Sequence, residues 1–206
     1  IDPLFVDPTF IYIIPTIEVR YDPAATTLTA SQILNKVKTT ISSFETTYLG
    51  IFEKKFYFSK FVTAIDATDI AIVSNDIGIQ VQKRFVPVIN GNQTYILPFH
   101  QPLYHPFAGH ISILSSTGFT IPSSGYTMYL DDDGQGNVQI YYLNNKTKVY
   151  VERRIGTIDY VTGEIILKKF AVSSVVTSTQ EILVTVQPKN KNIAPVRNEI
   201  LLLTQS

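Results

Sequence analysis

Thr29 to Lys54, TASQILNKVKTTISSFETTYLGIFEK, is the one long run of the chain with helical periodicity. Ile33, Val37, Ile41, Phe44, Tyr48 and Phe52 recur at steps of three or four, an apolar stripe along one side. Lys36, Lys38, Thr39, Ser43, Glu45 and Thr46 fill the other side. Thr29 and Gln32 have capping-box spacing, so Thr29 accepts from a free N–H of the first turn while Gln32 reaches back. Gly50 either ends the helix in a left-handed cap or is tolerated inside it at about 1 kcal/mol. A helix of roughly 20 to 25 residues is about 30 to 38 Å long, enough to cross a sheet. The pattern predicts one helix laid over strands drawn from both ends of the chain.

On the N-terminal side, Ile1 to Pro8 holds two Asp-Pro pairs and reads as an extended lead-in. Phe10 to Tyr21, FIYIIPTIEVRY, is the first strand, and Pro15 within it predicts an edge position or a bulge. On the C-terminal side, Ser59 reads as the cap of a short second helix, SKFVTAID, with Phe61, Val62 and Ile65 as its buried face. Asp69 to Ser74 and Ile77 to Val86 read as two strands joined by a turn at Asn75-Asp76.

From about Pro87 no helical period returns, and turn signals arrive every ten residues or so. Asn90-Gly91-Asn92 reads as a hairpin turn and Pro98 to Pro106 as a loop. His110–Leu114, Tyr126–Leu130, Val138–Leu143, Lys148–Arg153, Gly156–Tyr160, Glu164–Phe170, Ile182–Val186 and Glu199–Leu203 are the expected strands. The fold expected is α+β: a small strand-helix-helix-strand unit, residues 1–87 with 181–206, carrying a large antiparallel all-β insertion, residues 88–180.

The 206 residues are 45% hydrophobic, which supports a substantial core without covalent staples. Lys+Arg and Asp+Glu are equal at 17 each, so no net field draws nucleic acid or an anionic membrane. Cysteine is absent, which removes disulfides, thiolate metal sites and cysteine nucleophiles together. No apolar run approaches the roughly 18 residues of a membrane span, and no signal peptide is expected from the pattern of the residues given. The opening IDPLFVDP, without a methionine, is expected to belong to a fragment of a longer protein. Asn92-Gln93-Thr94 and Asn145-Lys146-Thr147 match the glycosylation sequon, which matters only in a secretory pathway.

Asp131 to Asn137, DDDGQGN, places oxygens and glycine as a calcium loop does, but the twelfth position is Tyr142 rather than glutamate and no helices flank it. Aspartate and glycine serve equally in a hairpin turn, which is the reading adopted. His100, His105 and His110 share one segment, at spacings of five that match no zinc signature. No Gly-x-Ser-x-Gly elbow and no phosphate-cradling glycine loop occurs, and Asp66 with Asp69 reads as capping at a helix end. The sequence therefore predicts no enzyme, cofactor or metal site. In GTIDYVTGEIIL, Gly156 to Leu167, Tyr160 to Gly163 suits a type I turn with Gly163 in the left-handed bulge position. There Ile158 and Ile166 are expected on one side and Ile165 on the other.

An ordered set of segments carries a resemblance. It comprises VRYDP (Val19–Pro23), the amphipathic helix with Phe44, Leu49 and Phe52, and the segment from Phe56 through SKFVTAID. After these come YLDDDGQGNVQIYY, GTIDYVTGEIIL and the terminal VRNEILLL (Val196–Leu203). Together they resemble the C-terminal part of the baseplate wedge proteins of contractile-tailed, T-even-like bacteriophages, which are related to baseplate-J-like proteins. The resemblance implies a virion protein of the tail baseplate, assembled in the host cytoplasm. It implies an inner-ring subunit that pairs with itself between wedges, contacts other baseplate proteins and rearranges when the sheath contracts. No nucleic acid, membrane or small-molecule substrate is expected as partner. The expected pairing surface is the terminal edge: Arg197, Asn198, Ile200, Leu201, Leu202 and Leu203. A carbohydrate- or receptor-binding β module is the alternative, with aromatic stretches Tyr95–Tyr104 and Tyr126–Tyr129 as platform.

Overall fold

In the computed structural model, which describes residues 7–122 and 124–204, the periodic stretch forms a helix over Ala30–Tyr48. The chain order is β1 Thr9–Tyr21, α1 Ala30–Tyr48, α2 Phe58–Asp66, β2 Ile72–Phe85, β3 Asn92–Pro98, β4 Leu114–Ser116 and β5 Phe119–Thr120. Then follow β6 Met128–Asp132, β7 Asn137–Asn144, β8 Thr147–Asp159, β9 Glu164–Ala171, β10 Ser174–Val175, β11 Ile182–Val186 and β12 Glu199–Leu203. Among the described residues, two α-helices and many strands make an α+β protein with large β content. The contacts divide it into two compact units, residues 1–80 with 191–206 and residues 81–190.

In the first unit the capping box forms as the spacing requires: Gln32 N donates to Thr29 Oγ1 at 3.3 Å and Thr29 N donates to Gln32 Oε1 at 2.8 Å. Ile33, Val37, Ile41 and Phe44 are buried along the stripe. The helix stops short of the sequence reading. Leu49 N donates to Glu45 O as the last cap, and Gly50 leaves in the left-handed region at φ +81°. Tyr48 and Phe52 are consequently exposed, and Leu49 takes the next core place. Phe44 meets Phe56 and Phe61 edge-on at centroid distances of 6.0 and 5.1 Å, an aromatic knot under both helices.

Helix α2 begins one residue before Ser59, which is therefore inside it and caps nothing. Its first free N–H, that of Phe58, is instead taken by Asn192 Oδ1 at 2.9 Å, from a segment 134 residues away. Phe61 and Ile65 are buried as the pattern predicts, while Val62 is half-buried. The turn expected at Asn75-Asp76 does not exist. β2 runs unbroken through both residues, with Asn75 Nδ2 donating to Asp66 Oδ1 and the apolar alternation of Ile77 and Ile79 carrying on from it.

Strand order in this unit is β12-β1-β2. β1 is thus an inner strand over its first half, where Thr9–Ile13 pairs in parallel with Glu199–Leu203. Pro15, which has no N–H, lies two residues past the end of that pairing, so the edge predicted from it exists only in the second half of β1.

In the second unit the order β10-β5-β6-β7-β8-β9-β3 forms one sheet, antiparallel at each pairing. Beside it, β11 pairs antiparallel with Val81–Phe85 of β2 and with β4. Several strand readings change. Lys148–Arg153 and Gly156–Tyr160 are one strand, β8, held together across register shifts opposite β7. Asn90-Gly91 does turn, with Asn90 at φ 56°, but closes no hairpin, because β3 beyond it pairs with β9. The expected strand at His110–Leu114 begins only at Leu114, and β3 fills what the sequence left between a turn and a loop. The β8–β9 turn is as predicted, Gly163 standing at φ +75° and donating its N–H to Asp159 O at 2.8 Å. Its register, however, sets Ile158 opposite Ile165, so those two share the buried face and Ile166 does not.

Candidate assembly surfaces and polar clusters

The terminal segment predicted to pair with another chain is placed as an outer strand. Asn198, at φ 72°, turns the chain into β12 and accepts from Thr9 N at 2.9 Å, while Arg197 before it is exposed. Leu201 and Leu203 point into the core; Ile200 and Leu202 are half-buried on the opposite face. The outer rim of β12 is partly used by the chain itself. Gly50 N donates to Leu201 O at 3.1 Å, and Leu203 N donates to Glu45 Oε1 at 2.9 Å. Sequence reasoning had no signal for these contacts, since Glu45 and Gly50 lie some 150 residues earlier.

The aspartate run forms the β6–β7 hairpin, with Gly134 and Gly136 at φ +67° and +97°. Asp133 works locally, accepting from Gln135 N at 2.8 Å and Asn137 N at 3.0 Å. Partial burial would raise its pKa, but hydrogen bonds from Asn137 and Gln135 hold it below the usual carboxylate range. Asp132 is buried and works at long range. Its Oδ1 accepts from Ser112 Oγ at 2.7 Å, Ile113 N at 2.7 Å and Leu114 N at 2.9 Å. Its Oδ2 accepts from Tyr160 Oη at 2.6 Å and Gly134 N at 3.3 Å. Burial first, and this bond second, push the Tyr160 phenol far up.

Asp131 faces the other side of the sheet. Its Oδ2 takes Lys148 Nζ at 2.7 Å and Tyr150 Oη at 3.1 Å, while its buried Oδ1 has no hydrogen-bond partner among the described residues. Burial raises its carboxyl against the pull of Lys148. Burial alone would lower Lys148, but its bond to Asp131 outweighs that and raises it, so the lysine stays charged. Lys148 Nζ also lies 4.3 Å from the centre of the Tyr141 ring, and Tyr141 sits 5.7 Å from Tyr129.

Of the three histidines, two converge. His105 stacks on Tyr160 with centroids 4.1 Å apart, and His110 lies 4.8 Å from His105 and is buried. His110 Nδ1 is bonded to Ile111 O, and its Nε2 has no hydrogen-bond partner among the described residues. His100 stands at φ 54° at the start of the loop. Among the described residues no group of three His, Cys, Asp or Glu is placed to hold a metal ion. No described helix is long and apolar enough to cross a membrane.

These arrangements are those of a protein built from paired strands and internal hydrogen-bond anchors. Residues 9–84, which run from the start of β1 through both helices to the last residue but one of β2, match the family model described as baseplate structural protein gp6, C-terminal domain III. The match lies on the strand-helix-helix-strand stretch and supports a structural protein of a phage baseplate. A search of curated proteins finds no match.

Proposed function

We propose that the chain is a structural subunit of a contractile phage tail baseplate, in the wedge or inner ring, where it joins neighbouring subunits during assembly and sheath contraction. The observation that carries this is the match of residues 9–84 to the baseplate domain. In this reading residues 1–87 with 181–206 hold the assembly contacts, 88–180 form an inserted β module, and two copies pair between wedges. Balanced charge, 17 of each sign, agrees with partners that are protein rather than nucleic acid. The protein would reside in the virion, at the baseplate assembled in the host cytoplasm, and would catalyse nothing. Antibodies to the chain, applied to intact tailed virions and viewed by electron microscopy, test it. Label at the baseplate is expected, and label confined to capsid or fibre tips would refute it.

A second reading, a carbohydrate- or receptor-binding β module, draws on the tyrosine row Tyr129, Tyr141 and Tyr150 beside Lys148. Saturable quenching of tyrosine fluorescence by cell-surface saccharides would favour it; a flat titration would remove it.

A further inference from the structure

We infer that the second half of β1, Ile17–Tyr21, is a self-complementary sheet edge that pairs antiparallel with the same segment of a second copy. The proposal rests on the self-association in the function proposed above and names its surface. Thr9 N donates to Asn198 O and Thr204 N donates to Ile13 O, so the odd-numbered residues of β1 turn their N–H and C=O groups toward the β12 side. Asp22 N donates the other way, to Ala71 O, as an even-numbered residue must. Pairing with β12 ends at Ile13, and among the described strands none continues on that side. The N–H and C=O groups of Ile17, Val19 and Tyr21 therefore face an open edge, which is a template for another strand.

The edge has an apolar cleft behind it. Ile17, Val19 and Tyr21 line a cleft of about 240 Å³ with Ile33, Leu34 and Val37 of α1. Leu34 is 53% exposed at its rim, although it sits beside the core stripe. A strand added along this edge would turn alternate side chains into the cleft and the others to solvent.

What selects the occupant is the sequence IEVRY itself. Centred on Val19, an antiparallel two-fold pairing sets Val19 against Val19, Ile17 against Tyr21 and Glu18 against Arg20. The odd-numbered pairs are those whose backbone groups face the edge, so they exchange both N–H···O bonds, as alternate positions of an antiparallel ladder require. Their side chains are the apolar ones that belong in the cleft. Glu18 and Arg20, both exposed, fall at the close non-bonded positions on the opposite face, where each meets its opposite charge, twice per dimer. A two-fold axis through Val19 makes every contact occur in duplicate, which is what a closed homodimer demands. The β12 rim offers less, since Gly50 and Glu45 already occupy two of its backbone groups.

Sedimentation equilibrium of the whole chain, at rising concentration, tests the pairing in four forms: unaltered, Glu18→Arg, Arg20→Glu, and the double exchange. Circular dichroism confirms that each is folded, as exposed sites on the outer face allow. Each single change turns two attractive pairs into two repulsive ones, so the dimer constant should weaken about five- to thirtyfold. The double exchange restores opposite charges and should recover the dimer to within about twofold of the unaltered chain. Singles that dimerise like the unaltered chain, or a double exchange that stays weak, would overturn the proposal. So would Leu202→Lys abolishing dimers that Glu18→Arg leaves intact, which assigns the surface to β12. A chain that is monomeric throughout refutes the pairing without touching the baseplate location, which virion labelling decides separately.

Discussion

Five donors converge on the Asp132 carboxylate, three from the segment Ser112–Leu114, one from Gly134 and one from Tyr160. That segment has no strand partner until Leu114, so the carboxylate does for its backbone what a ladder would otherwise do. Removing it strands buried donors, and Asp132→Ala is expected to lower stability by about 2 to 4 kcal/mol, read from urea unfolding. Tyr160 supplies a pH dependence whose sign is fixed. Its folded pKa is raised above the ordinary value, as are those of Tyr141 and Tyr150, burial being the leading cause in each. The folded chain thus keeps protons that the unfolded chain releases above about pH 10, so stability holds below that and falls as pH climbs past it. Tyr160→Phe should show a shallower alkaline decline in melting temperature; an unchanged slope would mean that another group drives it. Little of this was legible in DDDGQGN, where neighbouring residues account for Asp133 and for one bond to Asp132. Apart from Gly134, the partners of Asp132 lie 18 to 28 residues away, beyond the reach of any local pattern.

Helix α1 was legible because its determinants are local. Period, cap and terminating glycine all sit within the helix or at most two residues beyond it. Ile41 is 6% exposed at the centre of the stripe, and Ile41→Ala should cost about 2 to 5 kcal/mol. Thr29→Ala, which removes one arm of the capping box, should cost about 1 kcal/mol. A melting temperature untouched by either change would contradict the placement of this helix. Elements whose ends are set from afar were misread. The start of α2 is held by Asn192, so Ser59 was the wrong cap, and β2 is kept extended through Asn75-Asp76 by Asp66 and the strand beside it. The edge character of β1 was half legible: proline marks where the ladder must stop, but not how far β12 reaches along it.

At the scale of the molecule, two ways of cutting the chain make different predictions. Turn signals and period place an insertion at 88–180, whereas contacts gather 81–190 into one unit. The difference is β11 and the end of β2, which pair with each other from Val81–Val186 to Phe85–Ile182. Val81, Ile182, Val184 and Val186 are fully buried, and β11 also holds β4 along its other side. A fragment spanning 88–180 would lose both strands, uncover Leu114 and leave β4 with no ladder, an exposed apolar edge of the kind that aggregates. A fragment spanning 81–190 keeps every one of those pairings within itself. We therefore expect residues 81–190, expressed alone, to melt in one cooperative transition, and residues 88–180 to aggregate or melt well below it. Neither fragment should gain stability from calcium or zinc, because a ligand bound only by the folded state must raise its melting temperature and no complete ligand set is present among the described residues. Calorimetry on the two fragments, with and without metal, reads all of these at once. Equal transitions would show that β11 and the end of β2 are dispensable to the β module, and would move its boundary inward to the one drawn from sequence.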